Sequence, residues 1–229
     1  MENEESKRLK FKDYSDKIVS ELHRKYRQDF VVDGLGGLIG THDDTTIKAW
    51  CHSTEGKFKD YRFYVEISKD DLQVKDSFGN LIVAQMISRK IQELLFTEGL
   101  VVSQVETPTK YYDGKIVDEN DEIPDFFENA FVTSFVFLPQ SVDDEMLSER
   151  IYEFGVQLVN LHLKDLSVIL FVTKEMDEDK IWAKFCSSRN KYDAFSSDEA
   201  VIKKSGFQVN KKGMLTSASD IRKEFCRRK

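Results

Sequence analysis

Apolar residues recur along this chain with two different periods, and each change of period marks a new element. Over Glu5–Gln28, Tyr14, Ile18, Leu22 and Tyr26 return every four residues with Phe11 and Val19 beside them, which predicts a helix with one apolar stripe. Asp29–Asp33 reads as a short strand entering a glycine cluster, Gly34, Gly36, Gly37 and Gly40. A turn over 41–44 and a strand over Thr45–His52 follow. Beyond the break at Gly56, Tyr61–Ile67 alternates as a half-buried strand does. The breaks between these strands are short and polar, which predicts an antiparallel meander. A second helix over Leu81–Phe96 buries Ile82, Met86, Ile87, Ile91, Leu94 and Leu95, and Gly99 stops it.

Leu100–Val105 continues as a strand, and 107–129, with Pro108, the acidic run Asp118–Glu122 and Pro124, reads as a long loop or hairpin excursion. Ala130–Leu138 is a strand ended by Pro139. Ser141–Glu145 has the composition of a helix cap, and the helix it opens runs to Leu163. Ser167–Thr173 is almost continuously apolar, which predicts a central strand covered on both faces. Glu178–Phe195 reads as one helix, Phe207–Val209 as a short strand, and a last helix begins at Ser219.

This order of elements predicts the α+β class: an antiparallel or mixed sheet with amphipathic helices packed on it. Residues 1–106 form an N-terminal α-β-β-β-α-β unit and 130–229 a C-terminal β-α-β-α unit with a basic tail. The alternative is a single domain with 107–129 as a long loop.

Composition adds a core and a charge asymmetry. Apolar residues make up 40% of the 229 positions and aromatic ones 12%, led by 17 Phe, which excludes a disordered chain. The formal charge of −7 opposes bulk affinity for nucleic acid. From Val201 onward nine basic residues face two acids, so that stretch carries +7, and the total of −7 leaves −14 on residues 1–200. Lys203, Lys204, Lys211, Lys212, Arg222, Lys223, Arg227 and Arg228 are therefore a candidate surface for anionic lipid or nucleic acid. Cys51, Cys186 and Cys226 are odd in number and far apart, so they read as free thiols.

The motifs for common chemistries each break at a named residue. A dinucleotide fingerprint starting at Gly34 needs its third glycine where Ile39 stands, so the cluster reads as a turn or bulge needing positive φ, and no cofactor is expected. A calcium loop starting at Asp118 needs glycine and glutamate where Ile123 and Asn129 stand. Cys51 and His52 are neighbours on a strand and so point to opposite faces, which excludes a thiol–imidazole pair. His42, Asp43 and Asp44 form a polar cluster in the turn, the one place where a hydrolase or transferase site would use loop carboxylates and an imidazole. No metal set is expected, because the four histidines lie on different elements. No apolar run reaches the length of a membrane-spanning helix, and the leader from Met1 is polar.

The charged helix ending Leu22-His-Arg-Lys-Tyr26, then Asp29-Phe-Val-Val, the glycine break Gly36-Gly37 to Gly40-Thr41, Phe63-Tyr-Val-Glu-Ile67 and Asp76-Ser-Phe78 before an amphipathic helix make a spaced pattern. Together with the Phe135-Val-Phe-Leu strand, the helix over 142–163 and Val168-Ile-Leu-Phe-Val, it resembles a domain of small uncharacterised lipoproteins of Gram-positive bacteria. The resemblance implies a non-enzymatic binding or interaction protein, of an accessory or immunity type, whose partner is another protein. It implies an extracytoplasmic, lipid-anchored location if a signal segment has been removed, and a cytoplasmic one otherwise. The chain departs from the pattern in lacking a signal segment and lipid-bearing cysteine, and in adding the basic tail.

Overall fold

A computed structural model of the chain describes residues 11–36, 45–107, 122–140, 147–210, 212–217, 219–221 and 223. The class is α+β, as predicted: two mostly antiparallel sheets with helices packed on them. Two compact units divide between Phe78 and Gly79. The sequence alone offers 1–106 and 130–229 as two units, or a single domain with 107–129 as a long loop. Periodicity shows that a segment is a strand, but not which sheet it joins.

In the first unit, helix α1 (Phe11–Tyr26) precedes strands β1 (Phe30–Leu35), β2 (Thr46–Ser53), β3 (Arg62–Ser68) and β4 (Val74–Asp76). The strands pair in chain order and all antiparallel, the predicted meander. Ile18 and Leu22, from the predicted stripe, are buried where α1 packs on β1 and β3. The inner face of the sheet supplies Phe30, Ile47, Ala49, Cys51, Phe63, Val65 and Ile67. Phe78 is wholly buried, with its ring centroid 4.7 Å from that of Tyr26, 5.0 Å from Phe63, 5.1 Å from Phe30 and 5.7 Å from Phe58. The edge-on geometry of most of these pairs suits aromatic quadrupoles and adds to the area they bury.

Beside this cluster lies a buried carboxylate. Asp76 is 1% exposed and accepts hydrogen bonds from the Tyr26 hydroxyl at 2.6 Å, the Lys25 ammonium at 2.9 Å and the Phe78 N–H at 3.0 Å. A carboxylate can be kept out of water only when it is paired and hydrogen-bonded, and here both oxygens are engaged. Three elements meet on one side chain: the end of α1, β4, and the chain at Phe78. β4 itself was not predicted, because three residues show no alternation.

The second unit runs through α2 (Phe78–Glu93, shared with the first unit at Phe78), β5 (Leu100–Glu106), β6 (Phe131–Pro139), α3 (Leu147–Leu158), β7 (Asp165–Thr173), α4 (Glu178–Ser187), α5 (Lys191–Ser196), β8 (Val201–Asn210) and β9 (Gly213–Met214). Its sheet has the order β5-β6-β7-β8-β9, and only β6 and β7 are parallel, with α3 between them in the chain. β7 is central, as its apolar run predicted. Its two faces are covered differently: α3 brings Phe154 to Phe207 at 6.2 Å, and α5 brings Phe195 to Phe137 at 4.9 Å and to Phe171 at 6.0 Å. α2 is tied to β5 by side chains, with the Ser103 N–H donating to the Ser88 hydroxyl at 2.9 Å and the Val101 N–H to Gln92 Oε1 at 2.9 Å.

Two further expectations change. The helix predicted over 178–195 is two helices, because Asn190 caps α5 by accepting the Asp193 N–H at 3.2 Å, and α4 has already ended at Ser187. The short strand predicted at Phe207–Val209 is the ten-residue β8, paired along β7, with Ser205, Phe207 and Val209 buried. The stretch read as a basic tail therefore begins as a strand of the sheet. Among the described residues no helix is long and apolar enough to cross a membrane.

Replacing Asp76 with Ala is expected to cost about 3 kcal/mol in a urea melt, since it strands a buried hydrogen-bonding site, with Asp76→Asn losing less. Gly99→Ala is expected to cost about 1–3 kcal/mol, because a Cβ there would lie 2.8 Å from the Phe137 carbonyl oxygen, which is backbone and cannot swing away.

Candidate functional site

Alternation along β2 and β3 sorts side chains onto two faces. On β2, Ile47, Ala49, Cys51 and Ser53 point inward, while Lys48, Trp50 and His52 point outward. On β3, Phe63, Val65 and Ile67 point inward, while Arg62, Tyr64 and Glu66 point outward. The register sets Trp50 opposite Tyr64 and His52 opposite Arg62, so these four outer side chains are neighbours. The Trp50 and Tyr64 rings meet at 5.2 Å with planes at 65°, and Trp50 stays 53% exposed. Val31 of β1, opposite His52, extends the apolar area and is also exposed.

A bulge in β1 completes the face. Val32 pairs with Cys51 and Gly34 with Trp50, so Asp33 is an extra residue without a ladder partner. Displaced from the ladder, its carboxylate meets His52 Nδ1 at 2.8 Å and Arg62 Nε at 3.0 Å. An ionised carboxylate only accepts, so the imidazole donates from Nδ1 and leaves Nε2 facing away. The bulge stands at the entry to the glycine cluster, where the sequence predicts a turn or bulge needing positive φ. The described glycines with left-handed φ are Gly56 and Gly213, so at Gly34 displacement, not φ, makes the bulge.

An imidazole oriented by a carboxylate is also part of a hydrolytic triad, and Cys51 is its chain neighbour. The fold separates them, as strand geometry predicted. Cys51 is wholly buried on the inner face, and burial, with the Asp33 and Asp76 carboxylates adding to it, pushes its thiol from 9.0 up to about 12. A thiol so placed carries no thiolate at neutral pH. The outer cluster is thus two aromatic rings beside an Arg–Asp–His ion group, an arrangement suited to contact.

The residues singled out in the sequence are placed unevenly. His42, Asp43 and Asp44 lie outside the described residues, as do Lys211, Arg222, Arg227, Arg228 and the acidic run over 118–121. Lys203 and Lys204 are consecutive on β8, paired with Val172 and Phe171, and so belong to opposite faces of the sheet. Lys204 places its ammonium 5.0 Å from the Tyr192 ring centroid, Lys212 donates its N–H to Asn210, and Lys223 pairs with Asp220 at 3.2 Å. Among the described residues no group of three His, Cys, Asp or Glu is set to hold a metal ion. Sequence reasoning passed over Trp50, Tyr64, Arg62 and Asp33. The available signal was a tryptophan on the polar phase of an alternating strand.

A solved structure of a DUF5037 family protein from Ruminococcus gnavus ATCC 29149, a Firmicute, is similar to this chain, with a TM-score of 0.59 and 13% identity, covering 93% of this chain and 99% of that one. At that identity the likeness is one of fold. No protein-family model matches the chain, and no curated protein does.

Cys51 is expected to resist thiol reagents at pH 8 until the protein is unfolded, while the half-buried Cys186 reacts in the native state, as mass spectrometry of the alkylated chain will read. Because the folded thiol titrates higher than the unfolded one, its contribution is complete below pH 9.0 and is lost as pH rises towards about 12. Stability measured across that window should fall more steeply in the wild type than in Cys51→Ala.

Proposed function

We propose that the chain is a non-enzymatic binding protein that engages another protein through the outer face of its four-stranded sheet. The observation that carries this reading is the Trp50–Tyr64–Arg62 cluster. Trp, Tyr and Arg are the residue types that dominate binding energy at protein interfaces, and here they adjoin on one sheet face. The Asp33 carboxylate holds Arg62 and His52 in place before any partner arrives, which lowers the ordering cost of association. Half-exposed Trp50 leaves indole surface for a partner to cover.

In its finer form the proposal puts the chain at the outer surface of a Gram-positive membrane as an accessory or immunity-type lipoprotein. Its support is the sequence pattern described above.

The main test is paired affinity capture from envelope extracts of the source cells, using wild type and Trp50→Ala. A protein recovered by the wild type alone is expected, and its purified form should bind Trp50→Ala with a Kd raised about 30-fold or more, the effect of losing a hot-spot residue. Partners recovered equally by both proteins, or none, would overturn the reading. Lipid labelling of the native gene product tests the finer form: incorporation into this protein is expected, and an unlabelled protein in the soluble fraction removes the anchor while leaving the Trp50 test standing.

A further inference from the structure

The second unit carries a cavity of about 450 Å³ at the carboxyl end of its parallel strand pair. Thr173, the last residue of β7, lines it, as do Glu175 and Asp177 in the connection to α4. In open α/β sheets ligands settle outside the carboxyl ends of parallel strands, because the connections diverge there and leave a crevice. The β6–α3–β7 segment builds that circumstance locally inside an otherwise antiparallel sheet. The volume falls within the range of about 300–1,000 Å³ typical of small-molecule sites.

The cavity is amphipathic. Phe137 and Phe195, packed edge to face at 4.9 Å, present to it the margin of the hydrophobic core, and Ile181 and Val201 add aliphatic wall. The rim holds three carboxylates, Glu175, Asp177 and Asp198, against two ammoniums, Lys180 and Lys184. Four of these charges are matched: Asp177 pairs with Lys180 at 3.0 Å and Asp198 pairs with Lys184. Asp198 also accepts the Ala200 N–H at 2.9 Å, which ties the chain ahead of β8 to the rim. Glu175 is exposed and makes no ion pair or hydrogen bond among the described residues; with Asp177, whose effect is the larger, its charge helps to raise the Lys180 ammonium's pKa, and the rim keeps three carboxylates against two ammoniums.

We propose that this cavity is a binding site for a small organic amine, with the apolar body against Phe137, Phe195 and Ile181 and the ammonium at the Glu175 side of the rim. An apolar floor alone would accept any hydrophobe of suitable size. The excess carboxylate selects the sign of the head group, attracting an ammonium and opposing a carboxylate. The site is distinct from the outer face of the first sheet and stands on separate observations.

The test compares two ligands of like size and opposite charge, 2-phenylethylamine and 3-phenylpropionate, titrated into the full chain and followed by amide chemical shifts and calorimetry. Saturable binding of the amine is expected, with shifts centred on Ile181, Lys184 and Val201, and with the acid binding at least about tenfold more weakly. Glu175→Lys, at an exposed position, should remove that preference, and Ala183→Trp, which puts a large side chain on the exposed lining, should abolish binding of both. Trp50→Ala should leave the amine affinity unchanged, which separates this site from the protein-binding face. Failure of the amine to bind, equal affinity for the acid, or shifts centred elsewhere would each overturn the proposal. The wild-type comparison decides the matter even if a variant does not fold.

Discussion

The first unit depends on one buried carboxylate. Asp76 has almost no contact with water, and burying its charge is tolerable only because a hydroxyl, an ammonium and a backbone N–H converge on it. Those donors come from the last turn of α1 and from the residue that centres the aromatic cluster, so satisfying the charge also sets where the helix ends and where Phe78 sits. Asp76 pairs with Val65 across β3–β4, which anchors β3 from the side opposite β2. A slip of one residue in β3 would turn Phe63, Val65 and Ile67 out and Tyr64 inward. The ring cluster inside and the aromatic pair outside thus share one register, held from the interior by an ionic contact.

Much of this could be read from the pattern of residues, and the omissions have physical causes. Alternation in Thr45–His52 and Tyr61–Ile67 reports which side chains share a face, and short polar breaks report a meander. Both are local properties. The continuous apolar run of β7 reports a strand with two covered faces. What failed was either too short to have a period, as at β4, or depended on a partner. A helix and its successor look like one helix when the residues between them, 188–190, differ from helix formers only in capping chemistry. The ten residues of β8 include Lys203 and Lys204, and their charges hid a strand whose buried positions appear only once β7 lies alongside.

The sites were less legible than the fold for the same reason. Trp50 was visible as an aromatic on a polar phase, but the meeting of Asp33 with His52 and Arg62 needs three strands in register and an extra residue in one of them. The cavity of the second unit draws on β6, β7, α4, α5 and β8, and Phe137 of β6 stands 36 residues ahead of Thr173. No spacing rule connects Phe137 with Glu175 and Asp198. The candidate sites of this chain lie in the tertiary pairing of ordinary residues, which short motifs do not report.

The displaced residue in β1 has a consequence beyond the face it builds. Among the described residues β1 is an outermost strand of its sheet, and an outermost strand offers free backbone groups to any other extended chain. A bulge occupied by a charged residue interrupts that offer, because an incoming strand could not stay in register past Asp33 without leaving backbone groups unmatched. The sheet can therefore present an aromatic surface on its flat side while refusing strands at its border. One inserted aspartate thus orders the outer face and interrupts the ladder at the border.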